Sequence, residues 1–211
     1  LTGRIRTDAS MLRQGAKNAT EGANIASLIA TSTSTVRDNL NQMLTLAQEV
    51  KADPTKGGVN GAAFTTLAGE ISSVTSGAKY NNISLLDKTG WTNDSRLTIS
   101  SDGKSSTFKL QVGYGSSTFT LNDLSYLNYL KNVDLSSGTL DIDALISDLS
   151  TQINTVGVIS SRNNSLSGSY KSEAKVLVEQ ADILNKAAQD AMPSEEDPLL
   201  RDIGSIISTK S

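Results

Sequence analysis

The sequence contains no cysteine and no histidine. Those two absences remove disulfide frameworks, Cys/His zinc sites, Ser-His-Asp and Cys-His nucleophile systems, and the commonest proton shuttle at physiological pH. Aromatic residues make up 4% of the chain, so its core is expected to be thin; 37% apolar content over 211 residues still suffices for one or two domains. No apolar run approaches the roughly 20 residues needed to span a bilayer, and the opening residues are not expected to be a leader of charged, apolar and small residues. Net charge is −3, and Lys and Arg occur singly, as at Arg4, Arg6 and Arg13. The absence of a basic cluster argues against a nucleic-acid groove. Leu1 already stands inside a periodic helical pattern, which predicts an internal fragment of a longer chain.

What the sequence has instead is helical periodicity. From Ile5 to Val50 almost nothing would stop a helix, and Ile5, Ala9, Leu12, Ala16, Ala19, Ala23, Ala26 and Ala30 recur in alternating steps of four and three. This is a coiled-coil seam. After a one-residue slip, Val36, Leu40, Met43, Ala47 and Val50 continue it. An alanine seam buries little area per residue, so such a helix needs long partners, and alanine lets their backbones approach closely.

The remaining chain supplies partners. Asp53-Pro54 ends the first helix, expected over about 5–53, and Lys56-Gly57-Gly58 and Asn60-Gly61 read as turn chemistry. Phe64, Leu67, Ile71, Val74 and Ala78 predict a return helix over about 62–79 that lies back on the first. Tyr80-Asn81-Asn82 breaks it; Ile83, Leu85 and Leu86 form an apolar plug, and Asp87 to Ser95 reads as a polar linker. Between 96 and 121 the period falls to two, at Leu97 and Ile99, Phe108, Leu110 and Val112, then Phe119 and Leu121. That pattern predicts a small antiparallel β ribbon with turns at Ser101-Asp102-Gly103 and Gly113 to Ser117. Asn122 to Leu135 is expected to be a helical turn or two capping the ribbon. A third helix over about 141–191 follows, from Ile142 through Leu149, Val156, Tyr170, Leu177 and Ala188, with Gly157 and Gly168 weakening its middle by about 1 kcal/mol each. Pro193 and Pro198 end it, and 193–211 is a tail of undetermined role.

The predicted fold class is therefore mainly α with a small β ribbon: a rod-shaped antiparallel bundle of long helices. Residues 1–192 form one domain, with both ends of the chain at one end of the rod and the ribbon at or beside the other.

Candidate chemistry is sparse. Glu195-Glu196-Asp197 reads as solvated surface, Asp141, Asp143 and Asp148 as carboxylates favouring a helix N-terminus, and Asp102-Gly103 and Gly113-Tyr114-Gly115 as hairpin turns. No catalytic, cofactor-binding or metal-ligating residues are predicted, and no cofactor. Function is expected to reside in surfaces.

Several short stretches in order resemble one family. Arg13, Lys17-Asn18-Ala19, Glu21-Gly22 and Ile25-Ala26 are similar to the bacterial flagellin pattern of Arg, Asn-Ala-Asn-Asp-Gly and an apolar residue, continued by Asn39-Leu40, Leu46-Ala47 and Glu49. Glu70-Ile71, Val74, Tyr80-Asn81 and Leu85-Leu86 resemble its next helix and Phe-Asn-Gly-x-x-Leu-Leu ending. Leu110-Gln111-Val112-Gly113 resembles its Ile-Gln-Val-Gly hairpin, and Ile153, Val156-Gly157 and Arg162-Asn163 its C-terminal helix.

The resemblance covers about 10–190, the flagellin core domain, without the large outer domains many flagellins insert. It implies a structural subunit of the flagellar filament, exported and extracellular, with other flagellin subunits, an export chaperone and cap or junction proteins as partners. The hook–filament junction protein of the same superfamily is the alternative; a non-flagellar helical binding module is a second. In many flagellins Toll-like receptor 5 recognises an Arg and a Leu on the first helix and a Glu on the return helix. Those positions correspond here to Gln42, Leu46 and Glu70, so the resemblance implies weak or absent receptor contact.

Overall fold

A computed structural model describes residues 1–112 and 115–192. The protein is mainly α with a small antiparallel sheet. Helix α1 runs Thr2–Ala52, α2 Gly57–Gly77 and α3 Ile142–Ala191. At 1.5 Å per residue α1 is about 76 Å long. Its seam is buried as its spacing requires: Ala9, Leu12, Ala16, Ala19, Ala23 and Ala26, then Val36, Leu40, Met43, Ala47 and Val50.

The small side chains on α1 let α3 approach until side chains of one helix reach the backbone of the other. Ser160 Oγ donates to Ala30 O at 3.1 Å, and Ser167 Oγ to Ala23 O at 3.0 Å. The contacts are one heptad apart on both helices, as an antiparallel seam demands. Arg13 pairs with Asp182 toward the start of α1 and the end of α3, and Lys51 with Asp143 at 2.6 Å at the opposite ends of the two helices. All four groups are about half exposed or more, so these pairs set register more than stability.

The turn between α1 and α2 is tighter than the sequence predicts. Asp53 is extended at the end of α1, and its carboxylate accepts from Thr55 N to cap a 3-10 turn over Pro54–Lys56. Gly57, Gly58, Asn60 and Gly61 then lie inside α2 rather than in a loop. At Gly57 the reason is space, since a Cβ there would come within 3.0 Å of Leu135 O. Asn60 is buried and bonded to α1.

After α2, strands β1 (Lys79–Tyr80) and β2 (Ile83–Ser84) form a two-residue hairpin around Asn81 and Asn82, both at positive φ. The segment from Asp87 to Ser95 is not simply a polar linker: Trp91 within it is 1% exposed, and its Nε1 donates to Ser84 O at 2.8 Å. The second sheet has order β3 (Thr98–Ile99), β4 (Ser105–Val112), β5 (Gly115–Asn122). Strand β3 is shorter than expected, and Ile99 is exposed. Gly103, at φ +71°, makes the expected turn. Gly115 to Ser117, read as turn, belong to β5; Gly113 and Tyr114 lie outside the described residues.

This ribbon lies along the helices, not at the far end of the hairpin they form. Phe108 stacks on Phe119 and Phe119 on Tyr170 of α3, with centroids 5.1 and 6.1 Å apart. Leu110 and Tyr170 close over Gly22, where an added Cβ would meet them at 3.0 and 3.1 Å. Asn18 Nδ2 donates to Gln111 O, so the ribbon reaches into the N-terminal half of α1. The connection after β5 does not cap the ribbon as expected. Its 3-10 segment Ser125–Asn132 buries Leu127 and Leu130 and packs on α2, where Ser72 Oγ donates to Asn128 Oδ1. The tail 193–211, including Glu195, Glu196 and Asp197, lies outside the described residues.

Candidate functional site

The three positions singled out in the sequence fall on one face, where α2 lies against the second half of α1. Gln42, Thr45 and Leu46 of α1 and Ala63, Thr66 and Leu67 of α2 line a mainly apolar groove of about 510 Å³. Gln42 is exposed and Leu46 half-buried. Glu70 is exposed one turn beyond Leu67, outside the lining, and its carboxylate is already engaged: Asn39 Nδ2 donates to Glu70 Oε2 at 3.0 Å and to Leu67 O at 3.5 Å.

A second asparagine repeats this arrangement in the opposite direction. Asn60 Nδ2 on α2 donates to Leu46 O at 3.2 Å and Glu49 Oε2 at 2.9 Å on α1. In each clamp an asparagine 7% exposed spans a backbone carbonyl and the glutamate one helical turn further on, and the two clamps flank the groove. Neither is marked in the sequence, where Asn39 stands within a helical apolar pattern and Asn60 in a stretch that reads as turn chemistry. The groove is therefore a fixed surface held at both ends, suited to receiving an apolar side chain beside polar neighbours.

The other candidate carboxylates resolve into structural roles. Asp141 accepts from Ala144 N at 3.0 Å and caps α3. Asp143 lies in the first turn of α3, as expected of a carboxylate at a helix N-terminus, and also pairs with Lys51, whereas Asp148 lies further along the helix and accepts from the Tyr129 hydroxyl. Burial raises the pKa of the Tyr129 phenol, helped by Asp148, and burial likewise raises that of Tyr126, whose hydroxyl donates to Gln152 Oε1. Asp102 holds the turn at Gly103, its pKa lowered first by the Ser100 hydroxyl and then by Lys104 N–H. Among the described residues no group of three or more acidic side chains converges as a metal site. No helix among them is long and apolar enough to cross a membrane.

No protein-family model matches the chain, and no curated protein matches it significantly.

Proposed function

We propose that the chain is the core region of a structural subunit that assembles with copies of itself into the bacterial flagellar filament, outside the cell after export. The observation that carries this reading is the α1–α3 hairpin. Its alanine and serine seam permits backbone-level contact over most of two helices of about 75 Å. Such a body has length and stiffness, and the order long helix, return helix, ribbon, long helix is the one the flagellin resemblance implies. Its outer faces keep Met11, Val158, Val176 and Ile183 in solvent, side chains that contact between copies would cover. Export chaperone and cap or junction proteins are the further partners this reading brings, with the groove at Gln42 and Leu46 facing any receptor.

The test is negative-stain microscopy of the protein as its cell secretes it, together with immunolabelling of the cell surface. Filaments that carry the label are expected. A secreted protein that stays monomeric at high concentration and never labels filaments would overturn the reading.

A further inference from the structure

A recess separate from the α1–α2 groove lies where the ribbon and the segment after it meet α3. It is about 520 Å³ and more enclosed than that groove. Its lining comes from parts distant in sequence: Lys88 after β2, Lys104 before β4, Asn122 at the end of β5, Leu124 after the ribbon, and Thr155 and Ile159 on α3. Leu124 and Ile159 are 1% and 5% exposed and form an apolar floor. Tyr126, bonded to Gln152 at 2.6 Å, makes one wall.

The recess is held open by backbone bonds. Asp123 N donates to Lys104 O at 2.9 Å and Leu124 N to Leu86 O at 2.8 Å. Asp123 is the acidic residue of the lining, and its Oδ1 accepts from Lys88 N at 2.9 Å and Ser125 N at 3.0 Å. One of its carboxylate oxygens is thus already engaged by the backbone. Lys88 and Lys104 are exposed, and neither forms an ion pair among the described residues. An apolar floor with two lysines at the rim is the pattern of a site for a small organic anion.

We propose that this recess binds a small carboxylate carrying a ring-sized apolar body. The body rests on Leu124 and Ile159 beside the Tyr126 ring, and the carboxylate meets Lys88 and Lys104. A preformed recess gives affinity without ordering a loop. The proposal does not depend on assembly into filaments.

The experiment is an amide chemical-shift titration of the ¹⁵N-labelled chain with phenylacetate, acetate and 2-phenylethanol in parallel. Phenylacetate is expected to produce saturable shifts at Lys88, Lys104, Leu124, Thr155 and Ile159, with acetate and the alcohol at least about tenfold weaker. The double substitution Lys88→Gln/Lys104→Gln should weaken phenylacetate about tenfold, since it removes both charge-assisted contacts. Thr155→Trp, which fills the recess, should abolish the shifts. The lysines are exposed, so the first variant remains informative even if the second fails to fold. The proposal is overturned if phenylacetate shifts no residue of the recess at millimolar concentration, if acetate matches it, or if the double variant binds as the original does.

Discussion

Asn39 and Glu70 join α1 to α2 through a single side-chain hydrogen bond of 3.0 Å, and Asn60 and Glu49 join them again, with the donor on the other helix, at 2.9 Å. Each asparagine is 7% exposed, so its amide loses water on folding and must recover partners. Asn39→Leu and Asn60→Leu are each expected to lower stability by about 1–3 kcal/mol, because the accepting carbonyl and carboxylate lose their donor. Glu70→Gln should cost less, since Glu70 is exposed and water can replace it. Urea unfolding followed by circular dichroism measures all three. An Asn39→Leu protein as stable as the original would show that the clamp contributes nothing.

The return helix separates two positions that the sequence treats alike. Ile71 is 1% exposed, whereas Leu67 is half-buried at the groove. Ile71→Ala should cost about 2–5 kcal/mol as a core truncation, and Leu67→Ala clearly less, because its cavity opens to solvent. Parallel denaturant titrations decide it; equal losses would place Leu67 in the core after all.

The hairpin between β1 and β2 turns on Asn81 and Asn82, with φ of 48° and 62°. Both central residues at positive φ define a tight turn in which Asn-Gly is the favoured pair. Asn82→Gly is expected to be neutral or stabilising by up to about 1 kcal/mol, and Asn82→Val to destabilise by about 1–2 kcal/mol, since a β-branched residue is strained there. Thermal melts of the two variants against the parent provide the comparison.

The α1 seam was legible because burial along a helix follows spacing, and Ala9 to Val50 obey it. The start of α2 departs from its sequence pattern for a physical reason. Glycine usually signals a turn through its own conformational freedom, whereas Gly57 is needed for what it lacks, a Cβ that would strike Leu135 O. No local pattern marks Trp91, which stands in a polar stretch of sequence; it is buried where its indole N–H reaches back to Ser84 O. The ribbon's strands could be read from alternation, but their place on α1 depends on Gly22, Leu110 and Tyr170 meeting, which no local pattern encodes. Of the groove, Gln42 and Leu46 are reached only through resemblance, as is Glu70 beside it, and no local pattern marks either asparagine clamp.

Acid should destabilise the fold gradually. The carboxyls of Asp53, Asp94, Asp102 and Asp134 are held below the ordinary 3.8 by hydrogen bonds, first from the side chains of Thr55, Arg96, Ser100 and Ser136 respectively. A carboxyl whose folded pKa is depressed contributes stability that is present above its unfolded pKa and lost as pH falls through the folded value. Asp102 and Asp134 are exposed and Asp53 partly so, which keeps their contributions small, whereas the Asp94 side chain is 12% exposed and is the least screened of the four. With no histidine in the chain, melting temperature should be nearly level from about pH 5 to 8 and decline below about pH 4. A step near pH 6.5 in a series of thermal melts would contradict this.

Gln42 offers a neutral amide where the resembling family uses an arginine at its receptor surface. A guanidinium provides a planar, charged donor fork, and arginines at interfaces are frequent hot spots of about 2 kcal/mol or more. Little activation of Toll-like receptor 5 is therefore expected from this chain, and a substantial gain from Gln42→Arg, read in a cell-based reporter. Glu70 enters any such contact already bonded to Asn39, so Asn39→Ala in the Gln42→Arg background should change the response again. Parent potency equal to that of an arginine-bearing flagellin would refute the expectation.

The serine-to-carbonyl contacts between α1 and α3 join residues 130 and 144 positions apart. Contacts so remote in sequence form late, because the intervening chain must close a large loop before they return any free energy. Helix α1 can meet α2 across a short turn, but the alanine face turned toward α3 stays wet until residues 142–191 have been made. Residues 142–191 therefore set when the first quarter of the chain becomes rigid, and a nascent polypeptide stopped before residue 142 lacks the partner that straightens and dries its longest helix.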